Sequence, residues 1–328
     1  MVPKEGIAPI YNATYTLFRL SPLYVPGAKD FWLEDNLSFH ARRFAESIQS
    51  DNLRPTNLVL EEAEETINKS GPFKQCRWHV LQQPGDDIEP VRSADDLGVL
   101  QGLQVNVEYE RATYTALLLK GVESTEDANR DQVRLPLVCI RMPAALRSSF
   151  SYYMASAFDT RMEPLQLNGA TLCETLESFL KECAEDEDSF EKTVKEIQLS
   201  LSFNKPIQPT LKSIDVAIKR EDVAGFLAQG RIVSAAQTTS TKFIAGAFMS
   251  GLQKYLQVQI ALNLNADQIT VSKIACGAFA LGREGKLKLF APNVGLNDDG
   301  EYDDAAMASR RATGQLLQLL LQAAFGNT

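Results

Sequence analysis

The spacing of apolar residues along the chain changes several times, and each change marks an element. In residues 11–20, Tyr15, Leu17 and Arg19 alternate with Thr14, Thr16, Phe18 and Leu20. Aromatic and β-branched residues dominate, which predicts a strand with at least one well-buried face. Ser21-Pro22 and Pro26-Gly27 break it. From 34 to 50 the spacing becomes three and four, through Leu37, Ala41, Phe44, Ala45 and Ile48. That is an amphipathic helix with Arg42, Arg43 and Glu46 facing out. Strands are expected near 58–60, 75–82, 103–110 and 113–120, with surface loops at 84–87 and 122–131. Val105, Val107 and Tyr109 alternate with polar residues, so the last two strands suit an antiparallel meander with one wet face. Residues 135–142 form a short apolar run that predicts a central strand, and Pro143 then opens a helix to Phe158. A second helix is expected over 171–183.

An acidic stretch, Ala184-Glu185-Asp186-Glu187-Asp188, is the clearest boundary. It divides the chain into an N-terminal α/β domain (1–183), a linker (184–190) and a C-terminal α/β domain (191–328) suited to partner binding. Beyond it, strands are expected at 194–203 and 214–219, a short helix at 221–229 and a longer one at 241–257. Residues 269–281 and 286–290 flank Gly282-Arg283-Glu284-Gly285 as a hairpin. A final helix over 303–325 carries the run Leu316-Leu317-Gln318-Leu319-Leu320-Leu321. The pattern as a whole predicts an α+β fold. Two mainly antiparallel sheets are each backed by helices, and the C-terminal sheet ends in an edge hairpin.

Composition sharpens this picture mostly by exclusion. The 328 residues are 45% hydrophobic and carry a net charge of −9, an ordinary globular balance that disfavours a stand-alone nucleic-acid binder. The N-terminus lacks the basic-then-apolar pattern of a signal peptide, and no apolar run is long enough to span a membrane. The 5 cysteines lack paired short spacing, which argues against a metal site and for a reducing compartment. Cys139 and Cys276 read as small core residues. The 2 histidines are expected to be exposed: His40 on the first helix, and His79 on a strand that points Trp78 and Val80 inward. No nucleophile elbow or phosphate loop accompanies them, so neither an enzymatic activity nor a cofactor is expected. The enzyme alternative would need a pocket gathering His79, Glu108 and Arg141.

The basic residues are the more open question. Arg42, Arg43, Lys219, Arg220, Arg283, Lys286, Lys288 and the Arg310-Arg311 pair are the densest, and all but that last pair are candidate DNA-facing positions. On a strand, exposed lysines also serve to protect an edge. Against them stands the apolar surplus of the last third. An apolar face with a free strand edge is how strand addition and obligate dimers are built. Ile274, Phe279, Leu281, Leu287, Leu289 and Phe290 of the 269–290 hairpin are the candidate partner contacts.

Three stretches together resemble a known family. They are Thr-Tyr-Thr-Leu-Phe-Arg-Leu-Ser-Pro-Leu-Tyr at 14–24, Leu-Pro-Leu…Arg-Met-Pro…Phe-Asp-Thr-Arg…Pro-Leu within 135–167, and Gly-Ala-Phe-Ala-Leu at 277–281 with Gly-Lys-Leu-Lys-Leu-Phe at 285–290. The chain is similar to the fungal CENP-L family of inner-kinetochore subunits. That resemblance implies a nuclear, centromeric scaffold that forms a heterodimer with a CENP-N-like subunit through its C-terminal half. It implies further inner-kinetochore partners, contact with the CENP-A nucleosome through the complex, and self-association when alone. An autonomous DNA-binding protein is the principal alternative, because the family's fold is similar to that of bacterial recombination-associated DNA-binding proteins.

Overall fold

The computed structural model describes residues 10–27, 30–53, 70–81, 101–121, 131–184, 190, 194–203, 211–236, 246–291 and 304–326. In chain order the strands are β1 (Thr14–Leu20), β2 (Leu23–Tyr24), β3 (Phe73–Leu81), β4 (Gly102–Tyr109), β5 (Thr113–Leu119), β6 (Gln132–Val133), β7 (Leu137–Arg141), β8 (Met162–Pro164), β9 (Ile197–Phe203), β10 (Ser213–Ile218), β11 (Ile269–Ala275), β12 (Phe279–Gly282) and β13 (Lys286–Leu289). The helices are α1 (Glu34–Leu53), α2 (Ala144–Phe158), α3 (Gly169–Cys183), α4 (Arg220–Ala236), α5 (Ala247–Ile260) and α6 (Asp304–Phe325). The α+β class predicted from the pattern holds.

The strands form two antiparallel sheets, as expected, but very unequal ones, and the large one runs through both halves of the chain. An 11-stranded sheet runs β10-β9-β11-β12-β13-β1-β7-β5-β4-β3, with β8 also on β1, and β2 and β6 pair apart from it. β1 is the seam. Thr14–Thr16 pair with Lys288–Lys286 of β13, and Thr16–Arg19 pair with Ile140–Leu137 of β7, both antiparallel. An N-terminal strand therefore joins the C-terminal strands to the rest.

The expected strand over 269–281 is broken by a turn at Cys276–Ala278, where the Cys276 N–H donates to the Phe279 carbonyl at 2.8 Å. A three-strand meander replaces the hairpin. Its last strand is closed off by β1, so the hairpin lies inside the sheet and not at its edge. The described edges are β10 and β3. Gly285, at the β12–β13 turn, has φ of 73°, and a Cβ there would meet the Leu165 carbonyl oxygen at 2.5 Å, so this turn favours glycine on both counts.

Helices cover opposite faces at the two ends. On the first face, α1 and α2 pack over Phe18, Val105, Val107, Ala116, Leu118, Val138 and Ile140. On the second, α3 to α6 pack over Tyr15, Leu17, Leu117, Cys139, Leu199, Leu201, Ile274, Leu281 and Leu287. α6 lies beside α3, with the Ser178 Oγ donating to Gln315 Oε1 at 2.8 Å, and extends over β1 and β7. The middle strands are thus buried on both sides. This explains the unbroken buried runs 116–119 and 137–140, and it corrects the expected wet face of β5. β4 keeps one, because Gln104, Asn106 and Glu108 stay half-buried on the second face. The apolar face of the last helix goes into this core, with Leu316, Leu317, Leu320 and Leu321 all buried. Cys139 and Cys276 are buried as expected.

The strand expected at 58–60, the loops at 84–87 and 122–130, and most of the acidic stretches lie outside the described residues, as do positions 241–245 of the expected longer helix. Among the described residues no helix is long and apolar enough to cross a membrane.

Candidate functional site

β10 reads Ser-Ile-Asp-Val-Ala-Ile. Its alternation puts Ile214, Val216 and Ile218 on the second face and leaves Ser213, Asp215 and Ala217 exposed on the first. It pairs with β9 from Ser213↔Ser202 to Ile218↔Ile197, and no described strand lies on its other side. Its outer row of backbone donors and acceptors is therefore unpaired by the sheet.

α4 begins directly after β10 and doubles back through α5. The expected short helix is in fact 17 residues long. α5 is anchored through buried Phe248, Met249, Leu252 and Leu256. Its other flank is unhidden: Tyr255, Val258 and Ile260 are 47%, 72% and 56% exposed, and Ile232 of α4 is 71% exposed. Between β10, α4 and α5 opens a cavity of about 640 Å³ whose apolar wall includes Val216, Ile218, Phe226, Leu252 and Tyr255. The charged side chains lining it are Glu221 and Asp222.

α5 starts at Gly246, which offers no side-chain cap. Glu177 of α3 supplies one across the gap: Oε1 accepts the Met249 N–H at 2.7 Å, and Oε2 the Phe248 N–H at 3.3 Å. Burial pushes the Glu177 carboxyl above its ordinary 4.5, and the N–H groups of Met249, Phe248 and Ala247 oppose this without cancelling it. A raised carboxyl makes ionisation a cost to the folded state. Its contribution is most favourable below pH 4.5 and is lost as pH climbs through the folded value. Urea unfolding of wild type and Glu177→Gln across this window is the check. Wild type is expected to lose ground to the variant as pH rises and then level off. A difference that does not change with pH would contradict it.

The candidate partner residues are mostly in the core: Ile274, Leu281 and Leu287 are 0% exposed, Leu289 1% and Phe279 2%. Phe290 is half-buried. The alternation that marked the hairpin as special is that of a strand lying on a covered face.

The candidate DNA-facing residues do not converge. Arg42 and Arg43 are exposed on α1, near edge strand β3, with the Arg43 guanidinium 5.6 Å from the Phe39 ring centre. Lys219 and Arg220 are exposed at the opposite edge. Arg283, Lys286 and Lys288 do gather, at and beside the β12–β13 turn. Lys286 Nζ lies 3.0 Å from Glu284, and Lys288 Nζ lies 4.9 Å from the Phe290 ring centre. The register adds a residue that the sequence reading missed: Lys273 stands opposite Gly282, on the same uncovered face. A β-bulge at Ser272 puts it there by shifting the alternation of β11. A bulge leaves little mark in sequence.

His40 departs from expectation. It is half-buried between Trp78 (5.8 Å, stacked) and Phe158 (4.6 Å), its Nδ1 lies 2.9 Å from the Tyr153 hydroxyl, and burial lowers its pKa. It is an aromatic-core residue. His79 is exposed, as expected. It shares a sheet face with Glu108 and Arg141, but it pairs with Gln104 while Glu108 pairs with Gln75. Four residues along a strand separate the two by roughly 13 Å, and Glu108 Oε2 instead accepts the Gln75 amide at 2.6 Å. The trio is spread over an open strand surface and forms no acid–base pair.

The chain is 23% identical over 293 residues to the inner kinetochore subunit fta1 of Schizosaccharomyces pombe, covering 86% of this chain and 90% of that protein. The family model described as CENP-L, Centromere protein L, matches residues 9–325, so this chain belongs to the CENP-L family.

Proposed function

We propose that this chain is a non-enzymatic scaffold subunit of the inner kinetochore, acting in the nucleus at the centromere. It pairs with a CENP-N-like protein, joins other inner-kinetochore subunits, and helps anchor the kinetochore at CENP-A nucleosomes through the complex. The family match across residues 9–325 carries the reading. The name of the fission-yeast relative supports the inner-kinetochore role. The pairing rests on surface chemistry, because an unpaired strand edge beside exposed apolar side chains suits strand addition by another chain. In this reading the C-terminal unit, 191–328, is the partner-binding one. Ile274, Phe279, Leu281, Leu287 and Leu289 form its rigid backing, and Phe290 is the member within a partner's reach.

Arg283, Lys286 and Lys288, together with Lys273, line the uncovered sheet face as a place for phosphates that the assembled complex brings near. Arg42, Arg43, Lys219 and Arg220 are too dispersed to act with them as one groove. With a net charge of −9, the isolated chain is expected to hold DNA weakly and in a salt-sensitive way.

Co-expression with the CENP-N-like subunit of the same organism, followed by size exclusion and mass determination, tests the reading. The expected result is a stable 1:1 complex, with no gel shift of the isolated chain on duplex DNA at micromolar protein and near-physiological salt. Separate elution of the two subunits would sink the pairing. A clear shift by the isolated chain would favour the autonomous DNA-binding alternative.

A further inference from the structure

The chain has 14 prolines, and Ser21 is the one hydroxyl residue that stands directly before any of them. Pro22 holds that step extended, because its ring clashes with a helical residue in front of it. Ser21 and Pro22 lie in the short link between β1 and β2, and both are exposed. Their neighbours anchor the link from either side: Leu20 is 6% exposed and Leu23 0%. The dipeptide is thus presented at the surface on a fixed frame.

What surrounds the Ser21 hydroxyl suits a phosphate. The β1–β8 register runs Arg19↔Glu163 and Leu20↔Met162, and the Ser21 N–H continues it by donating to the Arg161 carbonyl at 3.0 Å. Ser21 therefore stands opposite Arg161, and a period of two puts Arg19 and Glu163 on the same face. The Arg161 N–H donates to Ser21 Oγ at 2.8 Å. Thr160 Oγ1 donates its single proton to the Ser21 carbonyl at 2.7 Å, so in their 3.0 Å contact Ser21 Oγ is the donor and Thr160 Oγ1 the acceptor. The Arg161 guanidinium is 83% exposed and holds Glu163 Oε1 through Nε at 2.7 Å. It has five donors, so one carboxylate does not use it up. Arg19 is a second partner of Glu163, its Nε donating at 2.8 Å. That hydrogen bond, joined by the charge of Arg161, holds the Glu163 carboxyl below its ordinary 4.5 and keeps it ionised.

We propose that Ser21 is a phosphorylation site for a proline-directed protein kinase, with Arg161 as the built-in receptor for the phosphate. Such a kinase selects a serine followed by proline because its site leaves the next backbone N–H unpaired, and proline has none. Ser21 Oγ attacks the γ-phosphorus of ATP and its proton passes to the kinase's carboxylate base. The bond to the β-phosphate oxygen breaks and ADP leaves. The ester Oγ no longer donates to Thr160, but it still accepts from the Arg161 N–H. The phosphate adds about 1.5–2 negative charges and three acceptor oxygens opposite Arg161. Ionised Glu163, on the same face, repels it. The Arg161 guanidinium turns from the carboxylate to the phosphate, while Arg19 keeps Glu163. Modification thus rewires one surface ion pair at the end of the seam strand and leaves both cores intact. Thr160, 4% exposed, is closed to a kinase. The site is independent of the pairing proposed above.

The test incubates the full chain with ATP and a cyclin-dependent kinase, read by intact mass and peptide mapping. Ser21 is expected to take up one phosphate per chain. Pro22→Ala keeps the hydroxyl and, at an exposed position, the fold, which thermal unfolding checks; it should lose the modification. A synthetic peptide of residues 14–28 runs beside them. Modification of the peptide but not of the folded chain means that the fold shields Ser21, which overturns the proposal, as does modification of neither. Undiminished phosphate on Ser21 in Pro22→Ala overturns the proline-directed assignment. Phosphorus NMR of the modified chain then reads the receptor. The second pKa of the phosphate, about 6 when free, is expected to fall beside Arg161 and to climb by about half a unit or more in Arg161→Gln. Equal titration in the two overturns Arg161 as the receptor.

Discussion

Leu287→Asp leaves no folded chain in which partner binding could be measured. Leu287 is 0% exposed on β13, opposite Tyr15 on one side and Leu281 on the other. All three belong to the core that α3 to α6 cover. An aspartate there buries an unpaired carboxylate among hydrocarbon and removes the leucine's packing as well. The sum is expected to exceed about 4 kcal/mol, a large share of the roughly 5–15 kcal/mol by which a domain is stable. Leu287→Ala, which leaves only a cavity, should cost about 3–5 kcal/mol. Lys288→Glu, one residue on and facing out, should stay within about 0.5 kcal/mol. Soluble yield and thermal unfolding by circular dichroism rank the three. If Leu287→Asp melts like wild type, the placement of β13 between β12 and β1 is wrong. The corollary concerns interpretation: lost pairing in this variant reports unfolding and says nothing about an interface.

The second large effect belongs to the α4–α5 pair. Gly230→Val is expected to cost on the order of 3 kcal/mol or more, because the added atoms run into backbone and not into a side chain that could swing away. A Cβ at residue 230 would lie 1.6 Å from the Ala247 carbonyl oxygen, so the helices must part. Phe226 then loses its edge-on contacts with Phe248 and Tyr255, whose ring centres lie 6.0 and 5.4 Å away, and the cavity wall goes with them. Gly251→Val meets the same barrier from the other helix. The double variant should therefore cost less than the sum, since one separation relieves both clashes. Gly225→Ala, in the same helix, should instead stabilise by roughly 0.5–1 kcal/mol. Chemical denaturation gives all four values. Similar values for Gly230→Val and Gly225→Ala would contradict the close approach of these helices.

Much of the local structure was legible in the sequence because its signals are local. Alternation in Ile197–Phe203 and Gly102–Tyr109 told strand from helix, and three-four spacing in Glu34–Leu53 told helix from strand. Side was legible too. The lysines of Lys286–Leu289 look outward and the leucines inward, as a period of two requires. The weaker readings share a cause. His40 reads as exposed beside Arg42 and Arg43, yet the rings that half-bury it come from Trp78, Tyr153 and Phe158, distant in sequence. β5 carries an apolar run in Ala116–Leu119, but only cover on the second face, where Leu117 and Leu119 join the core beneath α3 to α6, accounts for it.

The candidate site shows the division most clearly. The residues that make it up, the one-sided strand Ser213–Ile218 and the apolar-rich α4 and α5, can be read along the chain. Their being free cannot. Whether a strand is an edge depends on what pairs beside it. The 269–290 hairpin and β10 both carry the alternation of a half-covered strand. The hairpin is interior only because Thr14–Thr16, from the far N-terminal end of the sheet's sequence, pairs with Lys288–Lys286, while no described strand claims the outer side of β10. Sequence alone determined most of the strands and helices and, where no bulge intervenes, which side of each is apolar, since those follow from backbone periodicity. Tertiary structure decided which apolar sides find cover and which edge stays open, because burial and pairing are set by neighbours that no local pattern names.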